Sequence, residues 1–154
     1  MKKHKVLFVC HGNICRSPMA EAILKYLLTK DRVIGQFEID SAATSTEAIG
    51  EDVYYKAQDT LNKHGIKNFH HISRQFTLRD YEYFDEILVM DENNYRNIMK
   101  MCDNDPIHKV KKFGTKDIAD PWYTGDFETT FSEIDKACDV LKFHLLGGKE
   151  VFPK

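Results

Sequence analysis

The feature that most restricts the fold is the order of elements in the first part of the chain. Residues 6–9 form a continuous run of β-branched, aromatic and other apolar side chains, which predicts a strand buried on both faces. A short segment containing Gly12 follows, and Ser17-Pro18 then supplies a favoured N-cap and a favoured first helical residue. Apolar residues recur at helical spacing over residues 20–28. The sequence therefore predicts a strand, a tight loop and a helix in immediate succession.

Three further apolar runs predict the other strands of a sheet. We expect strands at residues 37–40, 86–90 and 110–113, helices at residues 52–64, 78–83, 92–102 and 128–146, and a loop at residues 120–125. Gly65 should end the helix at residues 52–64, and Gly147-Gly148 the last helix. This alternation predicts a single α/β domain, over residues 1–154, with a four-stranded parallel sheet flanked by helices on both faces.

Composition and charge exclude several classes of protein. The formal net charge of -2 argues against a nucleic-acid partner, because such proteins usually carry a strongly basic surface. No apolar run approaches the ~20 residues of a membrane helix, and the apolar stretch before Cys10 is too short for a signal peptide. The four cysteines are irregularly spaced, which favours free thiols over a zinc site or a disulfide framework. We therefore expect a cytoplasmic protein with neither a membrane nor a nucleic-acid partner.

The loop at residues 10–17 is the main candidate site. Ligands of parallel α/β sheets bind at the carboxyl ends of the strands, where this loop is expected. Its backbone N–H groups, above a helix N-terminus, would form a nest for an anion, and the guanidinium of Arg16 could bind two phosphate oxygens. The same positive field favours a thiolate at Cys10, and the Ser17 hydroxyl could donate to it. The loop thus places a nucleophile beneath a cradle for a tetrahedral oxyanion.

Other interpretations of this loop are weaker. A cysteine at a strand end is commonly a small buried hydrophobe, and a cysteine followed by an arginine arises readily by chance. The strand before the loop and the helix after it favour function, as do Gly12, which lets the backbone approach a ligand, and Asn13, which tolerates a left-handed turn. The Gly-Lys-Ser/Thr ending of a Walker loop is missing, and one glycine is too few for a dinucleotide fingerprint.

Residues 10–18, CHGNICRSP, closely resemble the signature of the low-molecular-weight protein tyrosine phosphatases, which are also acid phosphatases. Further matches occur in family order at residues 19–22 (MAEA), 40–45 (DSAATS), 64–66 (HGI), 74–75 (RQ), 90–91 (MD) and 120–123 (DPWY). Because these matches span nearly the whole chain, the resemblance is far more specific than the cysteine and arginine alone. It implies hydrolysis of phosphotyrosine proteins or small aryl phosphates, without a cofactor or metal.

The resemblance also implies catalytic roles for three residues. Cys10 would be the nucleophile, Arg16 would bind the phosphate, and Asp120 would be the general acid and base. Pro121 suits this role because it restricts the backbone of Asp120 to extended conformations. The phosphate-binding set would comprise His11, Gly12, Asn13, Ile14, Cys15, Arg16 and Ser17.

The walls of the cleft follow from the same resemblance. Trp122 and Tyr123 would form an aromatic wall that favours a flat aryl phosphate, although Trp122 departs from the tyrosine often found at its position. Glu47 would lie on the opposite rim. Inorganic phosphate and other oxyanions would bind as product or inhibitor, and we expect a monomer.

Several residues would support the phosphate loop. By resemblance, Cys15 could form a reversible disulfide with Cys10 that protects the nucleophile from over-oxidation. Ser41 and His71 match positions that brace the loop through Asn13. Asp91 could add a supporting carboxylate, although helix capping is the ordinary role of such a residue.

Two rival functions use a similar loop. A thioredoxin-coupled arsenate reductase would need two more cysteines, and residues 77–90, where they would be expected, contain none. A non-catalytic phosphate-binding module would need neither the nucleophile nor the acid, so the presence of Cys10, Arg16, Ser17 and Asp120 together argues against it.

Overall fold

The computed structural model describes residues 2–147 and contains the expected four-stranded sheet. Its strands are β1 (His4–Cys10), β2 (Phe37–Ala43), β3 (Glu86–Val89) and β4 (Val110–Lys112), in the order β2-β1-β3-β4. All three pairings are parallel, so the carboxyl ends of the strands meet at one edge of the sheet. The predicted end of the last helix at Gly148, and the outer limits of a domain over residues 1–154, lie outside the described residues.

Helices cover both faces of this sheet. They are α1 (Arg16–Lys30), α2 (Tyr55–Lys63), α3 (Leu78–Tyr83), α4 (Glu92–Met101), α5 (Pro121–Thr124) and α6 (Phe127–Leu145). Because side chains alternate along a strand, Val6 and Phe8 of β1 pack with α1 and α6, whereas Leu7 and Val9 pack with α3 and α4. The predicted fold class is therefore confirmed. Within residues 2–147, no helix combines the length and the apolar character needed to cross a membrane.

The strand order places the loop at residues 10–17 at a crevice of the fold. The chain runs from β1 to its neighbour β2 and then crosses to β3 on the other side of β1. Ligands of open α/β sheets bind where the strand order reverses in this way, outside the carboxyl ends of the strands. The loop after β1 is therefore flanked by the segments that follow β2 and β3.

The start of α1 differs from the prediction. The helix begins at Arg16, and Cys15 rather than Ser17 occupies the N-cap position. The prediction of Ser17 as N-cap is wrong, because both the amide and the hydroxyl of Ser17 are directed to the sulfur of Cys10. A residue with the propensity to cap a helix is used here to stabilise a side chain in the preceding loop.

A short helix replaces the loop predicted at residues 120–125. Asp120 is the N-cap of α5 and its Oδ1 accepts a hydrogen bond from the amide of Trp122 at 3.0 Å. Pro121 occupies the first turn, and Gly125 ends the helix with a positive φ of 73°. The other predicted bounds agree with the structure to within three residues.

Candidate active site

A cleft lies at the carboxyl edge of the sheet, above the loop that follows β1. It is lined by Cys10, His11, Gly12, Asn13, Ile14, Cys15, Arg16, Glu47, Ala48, Glu51, Asp120, Trp122 and Tyr123. The three residues predicted to carry the chemistry, Cys10, Arg16 and Asp120, thus border one cleft although more than a hundred positions separate Asp120 from the other two.

The sulfur of Cys10 lies among three groups that can stabilise negative charge. Its Sγ accepts from the amides of Asn13 at 3.3 Å and Ser17 at 3.4 Å, and lies 3.1 Å from the Ser17 hydroxyl. The same hydroxyl oxygen accepts a bond from the Asn13 side-chain amide at 2.8 Å, which leaves the hydroxyl proton free to point at the sulfur. Cys10 is almost fully buried, with 3% of its surface exposed. This environment suits a thiolate held at the base of the loop.

The guanidinium of Arg16 is held by hydrogen bonds and ion pairs to three other residues. One guanidinium nitrogen, Nη1, donates to Asp91 Oδ2 at 2.7 Å and to the carbonyl of Ile118 at 2.8 Å. The other, Nη2, lies 3.4 Å from Asp120 Oδ2. Burial alone would lower the pKa of Arg16, but Cys10, Asp91 and Asp120 outweigh it and raise the pKa above its ordinary value. The guanidinium is therefore a fixed, permanently charged group beside the phosphate loop.

Asp91 performs both of the functions that its position suggests. Its Oδ1 caps α4 by accepting from the amide of Asn94 at 2.7 Å, while its Oδ2 binds Arg16. Because the cap fixes the carboxylate, the arginine is held by an already ordered group.

The carboxyl group of Asp120 is oriented by helix α5. Its Oδ1 is occupied by the Trp122 amide, whereas its Oδ2 faces Arg16 and the cleft. The side chain remains 22% exposed, so the second oxygen can exchange a proton with a group in the cleft. A carboxyl group in this position can serve as general acid and base.

Asn13 is the centre of the bonds that hold the loop. It is fully buried with a left-handed φ of 59°, which its side chain stabilises through four hydrogen bonds. Its Nδ2 donates to Ser17 Oγ at 2.8 Å and to Ser41 Oγ at 3.0 Å. Its Oδ1 accepts from His71 Nε2 at 2.8 Å and from the amide of Arg74 at 3.2 Å. Ser41 and His71 therefore contact Asn13, as the sequence analysis expected of them.

A buried glutamate that the sequence analysis did not single out extends this network. Ser41 Oγ donates to Glu21 Oε1 at 2.6 Å, and Lys25 Nζ donates to Glu21 Oε2 at the same distance. Glu21 is 3% exposed on α1, among apolar residues. A lone carboxylate in an otherwise apolar buried stretch of helix was the signal in the sequence that could have indicated it.

Glu21, Asp40 and His71 come close enough together to be considered as a metal site. Each of them already has another partner. Lys25 neutralises Glu21, Arg74 binds Asp40 at 3.0 Å, and His71 donates to Asn13. With these contacts, the cluster forms a charged support beneath the phosphate loop.

The aromatic wall of the cleft has a support that the sequence analysis also missed. The side chains of Trp122 and Tyr123 are 54% and 81% exposed beside the cleft. The ring of Trp122 packs edge-on against Tyr54, with 4.8 Å between centroids, and Tyr54 in turn lies 5.9 Å from Phe127. Trp122 is therefore anchored, while Tyr123 extends into solvent.

Glu47 lies on the rim, where the resemblance placed it, and its Oε2 is 2.9 Å from Nε2 of His11. Cys15 lines the inner part of the cleft and is 4% exposed. Burial, the nearby Cys10 and the carboxylate of Asp120 raise the pKa of Cys15 far above its ordinary value, against a smaller opposite effect of Arg16. All four cysteines are free thiols.

Comparison with known proteins gives consistent results. The sequence profile of a family described as low molecular weight phosphotyrosine protein phosphatase matches residues 5–150. A curated phosphatase of that name from Gallus gallus is 43% identical over 143 residues, which cover 86% of this chain and 90% of the relative.

Two solved structures extend the similarity to the whole fold. The low molecular weight protein tyrosine phosphatase of Streptococcus pyogenes has a TM-score of 0.85 and 37% identity, covering 97% of this chain and 96% of its own. A Drosophila arginine phosphatase has a TM-score of 0.86 and 31% identity, covering 97% of this chain and all of its own. The extent of the profile match, supported by this agreement in sequence and fold, shows that the chain belongs to the low-molecular-weight phosphotyrosine protein phosphatase family.

Proposed function

We propose that this protein tyrosine phosphatase hydrolyses phosphotyrosine and small aryl phosphates through a cysteinyl-phosphate intermediate on Cys10. The observation that carries the proposal is the arrangement of the cleft. One cleft is bordered by the sulfur of Cys10 with its three hydrogen-bond donors, the buried guanidinium of Arg16 and the carboxyl group of Asp120. One oxygen of that carboxyl group faces the cleft. Nucleophile, phosphate ligand and acid are the three groups that the reaction requires.

In the first step, the thiolate of Cys10 attacks phosphorus and the new S–P bond replaces the P–O bond to the tyrosine. Asp120 gives its proton to the departing phenolate oxygen. Arg16 and the amides of residues 11–17 stabilise the negative charge on the three equatorial phosphate oxygens. The donors that hold Cys10 also make it a good leaving group for the next step.

In the second step, water attacks the phosphorus of the intermediate. Asp120, now a carboxylate, takes the proton of the water as the O–P bond forms and the S–P bond breaks. The Cys10 thiolate and inorganic phosphate result, and Asp120 is again protonated. No cofactor or metal takes part in either step.

The rest of the cleft supports an aryl substrate. The anchored ring of Trp122 and the exposed ring of Tyr123 offer apolar faces to the phenyl group of a substrate. Contacts between aromatic rings are favourable, so both side chains would stabilise a bound aryl phosphate. Glu47 borders the same opening. Ser41 and His71 act indirectly, by holding Asn13 and therefore the loop that binds phosphate.

The proposal extends to partners and assembly. Phosphotyrosine proteins are the substrates, and inorganic phosphate is both product and competing ligand. We include a monomer in the proposal, because the nucleophile, the phosphate ligand and the acid of a single chain already border one cleft. The cytoplasmic location remains a prediction, with which four free thiols are compatible.

The test is turnover of phosphopeptides combined with capture of the intermediate. We expect phosphotyrosine peptides to be hydrolysed much faster than matched phosphoserine and phosphoarginine peptides. When the reaction is stopped rapidly with acid and the enzyme is digested, one phosphoryl group should be found on the enzyme fragment that contains Cys10. Preference for phosphoarginine would redirect the assignment within the family. Arsenate reduction with thioredoxin, without aryl phosphatase activity, would contradict it.

Cys15 is expected to protect the nucleophile during oxidation. Peroxide converts the Cys10 thiolate to a sulfenic acid, and the Cys15 thiol then attacks that sulfur, forming a disulfide and releasing water. The raised pKa of Cys15 keeps it protonated, so Cys10 is oxidised first. Peroxide-treated wild type should regain activity with dithiothreitol, whereas Cys15→Ser should lose it irreversibly. Cys102→Ser, buried away from the cleft, should recover as wild type does; equal recovery of all three would remove Cys15 from this role.

A further inference from the structure

Two glutamates on the rim of the cleft have no part in the phosphate chemistry. Glu47 and Glu51 both line the cleft and both are exposed. The side chain of Glu47 contacts His11, whereas that of Glu51 has no hydrogen bond or ion pair with any other residue among positions 2–147. Two carboxylates therefore border the opening through which a phosphorylated side chain must enter.

The segment that carries these glutamates is tied to the phosphate loop along its whole length. At its start, the amides of Thr44 and Ser45 donate to the carbonyls of Cys10 and His11, at 2.9 and 3.1 Å. At its end, the amide of Tyr54 donates to the carbonyl of Ile14 at 2.8 Å.

Ser73 closes the middle of the segment. Its carbonyl accepts a hydrogen bond from the amide of Gly50, and its own amide donates to the carbonyl of Glu51. Its hydroxyl donates to the carbonyl of Gly12 at 2.8 Å. The two carboxylates are thus held at a fixed place relative to the bound phosphate, and a change in one of them need not disturb the loop.

Positive charge lies at the base of the cleft and negative charge at its rim. Arg16 is 2% exposed at the base, where the carboxylates of Asp91 and Asp120 offset part of its charge. At the rim, His11 is paired with Glu47, and no cationic side chain among residues 2–147 pairs with Glu51. A peptide whose phosphotyrosine reaches the base must therefore lay its flanking residues across a negatively charged rim.

We propose that Glu47 and Glu51 make the enzyme selective for phosphotyrosine flanked by lysine or arginine, and against phosphotyrosine flanked by acidic residues. This inference rests on the function proposed above and names its substrate class. A basic side chain beside the phosphotyrosine gains attraction from the rim carboxylates, and the exposed rings of Trp122 and Tyr123 offer it a further cation–π contact. An acidic side chain at the same place meets repulsion.

The test compares phosphotyrosine peptides that differ only in whether lysine or glutamate flanks the phosphorylated residue. At low ionic strength, we expect kcat/KM to be about five- to tenfold higher for the lysine peptides, through charge pairs at an exposed rim. The preference should fall toward unity in the double variant Glu47→Gln/Glu51→Gln. It should also shrink as salt is raised, because exposed charges are screened over roughly 8 Å at physiological ionic strength.

Glu82→Gln is the matched control, because Glu82 is exposed on α3 and lies outside the lining of the cleft. It should retain the wild-type ratio of kcat/KM between the two peptides. Equal hydrolysis of both peptides by wild type would overturn the inference and leave the phosphatase assignment intact. A preference that persists in the double variant would overturn it also. Failure to hydrolyse either peptide would instead contradict the proposed function.

Discussion

Replacing Cys10 by serine is expected to lower kcat for phosphotyrosine by roughly 10⁴-fold or more, while phosphate binding persists. A serine hydroxyl does not ionise at neutral pH, so the amides of Asn13 and Ser17 that stabilise a thiolate cannot make it a nucleophile. The side chain of Cys10 is buried and serine is smaller, so the loop keeps its shape. Steady-state kinetics with phosphotyrosine and titration calorimetry with inorganic phosphate measure the two effects separately.

Cys102→Ser provides the control for this substitution. Cys102 is equally buried but packs in the core on the other face of the sheet, with Leu7 and Ile98. Its replacement should leave kcat near the wild-type value. A Cys10→Ser variant that turns over phosphotyrosine at a comparable rate would remove Cys10 from the mechanism, and one that also loses phosphate binding would indicate a collapsed loop.

The elements that the sequence predicted well are those with a strong local pattern. Residues 78–83 are helical as expected, and the buried run at residues 6–9 lies inside β1. α5 was missed because four residues are too few to show helical periodicity, and its start depends on one capping contact of Asp120. α1 begins earlier than expected because Ser17, a good cap by composition, is used to bind the sulfur of Cys10.

The site residues likewise fall into those that the sequence could identify and those that only the folded structure reveals. Cys10 and Arg16 could be identified because a contiguous loop carries the chemistry, whereas Asp120 required the resemblance to a family. The carbonyl of Ile118 that holds Arg16 has no signal in the sequence, since any residue could supply it. Tyr54 was likewise missed, because its role depends on a contact with Trp122 that only the folded chain creates.

Replacing Asp120 by asparagine should produce a loss that depends on the leaving group. With phenyl phosphate or phosphotyrosine, whose phenolates are basic, the rate of formation of the intermediate should fall by about 10²–10⁴-fold. With p-nitrophenyl phosphate, whose leaving group departs without a proton, the fall should be much smaller. Single-turnover measurements are needed, because Asp120 also serves as base in the second step and steady-state rates would combine both losses.

Asparagine is the appropriate substitute because it separates proton transfer from structure. Its Oδ1 can still accept from the amide of Trp122, so α5 and the aromatic wall should remain in place. Asp126→Asn is the matched control, since Asp126 caps α6 in the same manner, through the amide of Thr129 at 3.0 Å, and does not line the cleft. It should leave both substrates unaffected. Equal losses of Asp120→Asn on good and poor leaving groups in the first step would mean that the proton comes from another group, and that Asp120 acts by orienting Arg16.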